Sequence, residues 1–290
     1  MFIFFGLISL LLTILADYLI MAFIGISVHS FTLWFILPIG GAILGAFCGK
    51  GIFLYLKHAN IKATAKHTIT SAILAFIGFW AINYFAYFST YVDDESINNT
   101  FKGEHISNYM YNDTEPFTFK NYLEFQFETS ESVVSVGGHS SGSSISFGKG
   151  YNKTSFYITM LGFIIGGLTV GSTVVGDKSY CDKCKKYMKE KKLYDFTYSS
   201  FDNEVMALEK ALQKTKEEFD DFIKQERPFE EYGEPYITAV LTYCPVCKDG
   251  FINLKFMEPK KGSGGKLVWE ENDKYTKKLP LSNEASSMIV

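Results

Sequence analysis

The chain has 290 residues, of which 47% are apolar, 17% aromatic and 20% charged, and its formal charge is −3. The two kinds of residue are segregated: Asp17 is the one charged side chain between Phe2 and Gly49, whereas lysines and carboxylates crowd the sequence from Lys178 onward. That division excludes a single soluble globule, a disordered chain and a disulfide mini-protein, and the slightly acidic total excludes a basic nucleic-acid binder.

A bilayer core about 30 Å thick is crossed by about 20 helical residues. Phe2–Ile26, Phe31–Leu56, Ile69–Phe88 and Ser155–Val175 meet that length. None has the polar face of a helix packed at the surface of a soluble core. The first segment lacks a positive start and a small-residue cleavage site, so it reads as a retained span. Lys57, Lys62 and Lys66 follow the second span and a dense run of lysines follows the fourth, while residues 91–153 hold four lysines against nine carboxylates. The positive-inside rule then puts both termini in the cytoplasm and the long loop outside. The expected organisation is three spans within 1–90, an extracytoplasmic β-rich loop at 91–153, the fourth span at 154–177 and a cytoplasmic domain at 178–290.

Asp17 lies within the first span, where a carboxylate costs about 2.5–3.5 kcal/mol to insert and calls for a partner or a function. Lys50 in the second span is the nearest opposite charge, about 13 Å away in depth on an antiparallel hairpin. Both are intramembrane polar candidates. Gly41, Gly45 and Gly49 in the second span, and Gly162/Gly166 and Gly167/Gly171 in the fourth, recur every four residues and clear a face for close helix contact. These two spans are expected to pack together, or each against a copy in a homo-oligomer. Cys48 reads as a small packing residue.

In the outer loop, Phe117, Phe119, Leu123, Phe125 and Phe127 alternate with polar residues, which predicts a half-buried strand over 117–127. Val134 and Val136, the run Gly137–Gly142, then Ile145 and Phe147 predict a hairpin. Together they would make a three-stranded sheet. His105 and His139 stand alone, without metal-like spacing. Asn98, Asn112 and Asn152 begin N-x-T sequons.

Four of the five cysteines form two C-x-x-C knuckles, Cys181/Cys184 and Cys244/Cys247. Each knuckle aims two thiolates at one point, and two knuckles complete a tetrahedral S₄ set that suits Zn²⁺ in a reducing compartment. Strand-like runs flank them at 186–196, 236–243 and 251–257, the pattern of a zinc ribbon. A thioredoxin-like dithiol would need one knuckle opening a helix in a βαβ setting. A rubredoxin-like iron site usually has glycine where Lys185 and Lys248 stand. A catalytic zinc would need an open position, which four thiolates close. The 59 residues between the knuckles hold Val205, Leu208, Leu212, Phe219 and Phe222 at helical spacing, which predicts one amphipathic helix over 202–226, started by Asp202 and packed on the ribbon. A last hairpin is predicted from 251–257 to 266–271, and residues 282–290 read as a frayed end.

The stretches Trp34–Gly41, Asn121–Phe125, Gly162–Gly167 and Tyr180–Cys184 resemble a group of uncharacterised bacterial inner-membrane proteins with four spans and a cytoplasmic C-x-x-C module. The resemblance covers about residues 31–188. It implies that architecture and an inner-membrane location, and no activity. The fold class expected is thus an α-helical polytopic membrane protein with a small extracytoplasmic β-rich loop and a cytoplasmic zinc-ribbon (α+β) domain. No catalytic constellation is present. The expected role is a non-enzymatic scaffold that recruits a cytoplasmic protein. The alternatives are a transport or channel component using Asp17 and the glycine faces, and a membrane-bound electron carrier with iron in place of zinc.

Overall fold

The structure is a computed structural model that describes residues 1–24, 28–33, 37–94, 96–99, 101–112, 115–129, 132–134, 143–145, 148–176, 178–225, 234–261, 267–272 and 276–281. The chain divides into two units, residues 1–59 with 63–176, and residues 60–62 with 177–290.

The first unit runs α1 (Phe2–Ile24), α2 (Ile39–His58), α3 (Ala65–Phe88), β1 (Tyr91–Asp93), β2 (Ser96–Asn98), β3 (Glu104–His105), β4 (Met110–Tyr111), β5 (Glu115–Pro116), α4 (Phe119–Thr129), β6 (Ser132–Val134), β7 (Ser143–Ile145) and α5 (Gly148–Val174). Four of its helices, α1, α2, α3 and α5, are long and apolar enough to cross a membrane. In α2, 56% of the apolar window is buried, against 22% in α1, so α2 is the enclosed helix. Pro38 decides where α2 begins. It has no N–H and disfavours helix before it, so residues 31–33 and 37 are not helical and Leu33 bridges Leu37 instead. Close approach explains the glycines. A Cβ on Gly45 would overlap the Phe163 carbonyl, and one on Gly166 would overlap the Ala42 carbonyl, so α2 and α5 touch backbone to backbone. Ser71 adds a hydrogen bond from α3 to the Gly167 carbonyl at 2.7 Å.

The expected strand over 117–127 is instead the helix α4. Phe119, Leu123 and Phe127 are four residues apart, a spacing that suits a two-residue and a 3.6-residue period alike. The discriminating residue is Tyr122, which is buried although it falls outside the alternating apolar set. The three-stranded sheet expected from 117–127 and the hairpin therefore does not form. β6 and β7 do pair antiparallel, Ser132 with Ile145, but the turn with His139 lies outside the described residues. A different small sheet, ordered β2-β1-β3, follows α3, and β4 pairs with β5.

The second unit contains β8 (Tyr180–Cys181), β9 (Lys186–Tyr187), β10 (Lys189–Thr197), α6 (Phe201–Ala211), α7 (Lys216–Lys224), β11 (Tyr236–Tyr243), β12 (Gly250–Lys261), β13 (Leu267–Glu271) and β14 (Lys277–Pro280). The main sheet is antiparallel, ordered β10-β11-β12, with β13 and β14 both on the free side of β12. Alternate residues of β12, Ile252, Leu254 and Phe256, are buried on one face. The helices cover that face: Val205, Leu208 and Phe219 share a core with Phe196, Ile237, Leu241 and Ile252. Each such side chain contributes about 1.5–3 kcal/mol of burial.

The single helix expected over 202–226 is two helices. It starts one residue earlier, at Phe201, with Ser200 as the residue before it. It breaks at Thr215, whose hydroxyl accepts from the Glu218 N–H while the Glu218 carboxylate accepts from the Thr215 N–H. This reciprocal cap restarts the chain as α7. Residues 226–233, including Pro228, and 262–266 and 282–290 lie outside the described residues.

Candidate metal centre

The two knuckles are built the same way. Cys181 ends β8, and the β8–β9 hairpin pairs Cys181 with Lys186 across the turn that carries Cys184. Cys244 follows β11 directly, and Tyr243 pairs with Gly250 across the turn that carries Cys247. In the second knuckle the Cys244 N–H donates to the Asp249 carbonyl at 2.8 Å, and the Lys248 N–H donates to the Cys244 carbonyl at 3.1 Å. In each knuckle the residue after the second cysteine is left-handed, Lys185 at φ 53° and Lys248 at φ 62°. That conformation suits glycine and costs a residue with a Cβ about 1–2 kcal/mol. The tight turn is therefore kept without the residue that would form it most easily.

Across the two knuckles the four Sγ atoms of Cys181, Cys184, Cys244 and Cys247 lie within 4.8 Å of one another. Cys181 Sγ is 3.7 Å from Cys247 Sγ. A tetrahedral ion with thiolate bonds of about 2.3 Å sets its donors about 3.8 Å apart, so the cage has the size of such an ion. Cys181 and Cys244 are buried; Cys184 and Cys247 are half-buried. Among the described residues no histidine or carboxylate joins the group.

The electrostatics of the cage favour a cation. Burial raises the Cys244 thiol, but the backbone N–H groups of Cys247 and Val246 and the neighbouring thiols outweigh it and bring Cys244 to about 7. Cys184 is pushed up to about 12, by its hydrogen bond to Cys247 and by burial. At Cys181 a backbone hydrogen bond from Cys184 lowers the pKa, yet burial and the Cys247 and Cys244 sulfurs leave it raised. One thiolate forms readily and its neighbours then resist ionisation. A bound cation removes that resistance, because it neutralises the charge the sulfurs would otherwise share.

Residues 60–62, the connection between α2 and α3, belong to the same unit as the knuckles. Lys62 pairs with Asp182, which sits between the two cysteines of the first knuckle, at 3.0 Å. The Tyr180 and Tyr187 hydroxyls donate to the Asn60 and Ile61 carbonyls, both at 3.0 Å. Lysine count carries no information about these specific contacts.

The remaining sequence candidates fall elsewhere. Asp17 is not paired with Lys50. Its Oδ2 meets His29 Nδ1 at 3.0 Å, and the Lys50 ammonium lies over the Phe47 ring, 4.8 Å from its centre. The distance in depth explains the choice: His29, in the connection after α1, reaches Asp17 without a helix shift. Cys48 is fully buried against Gly78. His105 is a structural residue that caps a short 3₁₀ turn through Ser107 and packs edge-on against Tyr87 and Tyr91. Asn152 donates to the Phe127 carbonyl at 2.9 Å. No protein-family model, no curated protein and no solved structure matches this chain.

Proposed function

We propose that the chain is a multi-pass inner-membrane protein whose C-terminal domain is a cytoplasmic zinc ribbon, and that it acts as a non-enzymatic scaffold for a cytoplasmic protein. The carrying observation is the set of four cysteine sulfurs within 4.8 Å of one another, enough to fill all four positions of a tetrahedral ion. A closed shell is the signature of a structural ion, whereas a catalytic zinc keeps a position open. Structural zinc in small peptides contributes about 10–16 kcal/mol at neutral pH, which is ample to hold two short knuckles. Bound there, zinc would draw protons from the four thiols and lock the turns at Lys185 and Lys248.

Four apolar helices support the membrane reading. The orientation rests on the lysine distribution and gains support from residues 60–62, which fold with the cysteine domain and so share its side of the bilayer. The scaffold role rests on exposed apolar side chains of that domain. Val246, at the tip of the second knuckle, is 61% exposed, and Leu267 and Val268 on β13 are exposed as well.

Elemental analysis of the purified full chain tests the metal reading. One zinc per chain, released together with loss of the knuckle fold, is the expected result. A red protein with one iron would replace the scaffold with an electron carrier. Cross-linking in cells through a photoreactive group at Val246 tests the partner. A discrete soluble protein should be captured, and capture of lipid alone would remove the scaffold role.

A further inference from the structure

The first unit holds a cavity of about 320 Å³ that the metal reading does not use. Its floor is the upper part of α3 and α5, and α4 lies over it. Lys149 at the start of α5 grips Glu124 and Glu128 of α4 at 2.9 and 2.8 Å, and this pairing holds both carboxyls below their usual range. The roof is therefore anchored. The volume is at the lower end for small-molecule sites.

The lining has a definite chemistry. Phe79, Phe127 and Phe156 supply ring surface. Asn83, Gln126 and Asn152 supply amides, and Asn83 has already turned its amide nitrogen to the Phe79 carbonyl at 2.8 Å, which leaves its oxygen as an acceptor. Among the described lining residues there is no lysine, arginine, aspartate or glutamate.

A narrow second void, about 10 Å³, shares Met21, His29 and Ala86 with the first. Asp17 lines that void. Its side chain is 5% exposed, Oδ2 is held by His29, and Oδ1 is buried without a hydrogen-bond partner among the described residues. A buried carboxylate oxygen left bare in an apolar span is costly unless a donor reaches it.

The fixed charge decides the ligand. Neither void is lined by a lysine or an arginine among the described residues, and Asp17 is the acidic side chain that lines them. A cation finds the carboxylate, acceptor oxygens and ring faces, all of which attract it. We propose that this cavity binds a small organic cation of the primary-amine type, its ammonium at the Asp17–His29 end and its apolar part among the three phenylalanine rings. The proposal is independent of the metal centre.

The test titrates the full chain in detergent with three probes of one shape: benzylammonium, benzyl alcohol and benzoate. Benzylammonium should bind saturably and at least tenfold more tightly than the other two. Asp17→Asn should erase that preference. Gln126→Trp, which fills the cavity from the α4 side, should abolish binding while the chain still unfolds in a cooperative thermal transition. Equal or tighter binding of the alcohol or the acid overturns the proposal. So does benzylammonium uptake unchanged in Gln126→Trp, which is partitioning into the micelle, and so does an absence of saturable binding. The three-probe comparison on the unmodified chain decides charge selectivity even where Asp17→Asn does not fold.

Discussion

The Asp17 carboxylate and the His29 ring, twelve residues apart, meet at 3.0 Å and are both largely hidden from solvent. Removing one partner of a buried pair leaves the other stranded, at a cost of about 3–5 kcal/mol. His29→Leu is expected to lower the unfolding temperature in detergent sharply. The double variant Asp17→Asn/His29→Leu should recover most of the loss. Strictly additive effects would mean that the two groups do not support each other.

Gly45 tests the helix contact. An alanine there must push α2 away from the Phe163 carbonyl, and overpacking of this kind costs about 1–3 kcal/mol. Gly150→Ala is the control, since open space surrounds that position in the same unit, and it should stay within about 1 kcal/mol of the parent. Thermal unfolding in one detergent compares them; equal stability of the two variants would count against the close α2–α5 approach.

Thr215→Ala should destabilise the second unit by about 0.5–2 kcal/mol, because it removes the hydroxyl that caps α7. The readout is chemical denaturation of the full chain in a Trp34→Phe/Trp80→Phe background, followed by fluorescence of Trp269, which packs against Tyr236 in that unit. Thr215→Ser should keep the cap and the stability.

Metal affinity should fall steeply as the solution is acidified. Cys184 and Cys181 both titrate above their ordinary value, so at neutrality at least these two must lose protons to an incoming ion. Release of at least two protons makes affinity change about hundredfold or more per pH unit, weaker on the acid side. Competition with a chelator at pH 6.5 and 7.5 measures the slope. A slope near zero would mean that the thiols are ionised without metal.

Much of this architecture is legible in the residues, for reasons that differ by element. The four long helices announce themselves through uninterrupted apolar length, and β11 through its dense β-branched and aromatic run between turn residues. The four cysteines that come together are the four paired by C-x-x-C spacing. The elements that misled are those where one pattern serves two periods. Phe119, Leu123 and Phe127 fit a strand and a helix equally, and only burial of Tyr122 separates them. Thr215 and Glu218 spell a capping box inside what reads as one helix, and the box carries more weight than the apolar spacing across it. A count of lysines and carboxylates gives no sign of His29 as the partner of Asp17. A histidine carries no formal charge in such a count, yet it is the nearest group able to meet a buried carboxylate.

Docking of residues 60–62 has a consequence for how the protein is made. Lys62 and Asp182 are 120 residues apart in the chain. At about 5–20 residues per second of synthesis, the first waits about 6–24 s for the second to be translated. During that interval α3, α4 and α5 are still emerging, so the cysteine domain closes as a late event of biogenesis, after the last apolar helix has been made. Ribosome stalling between Val174 and Cys181 would therefore hold the nascent protein with its four long apolar helices synthesised and its C-x-x-C cysteines not yet born.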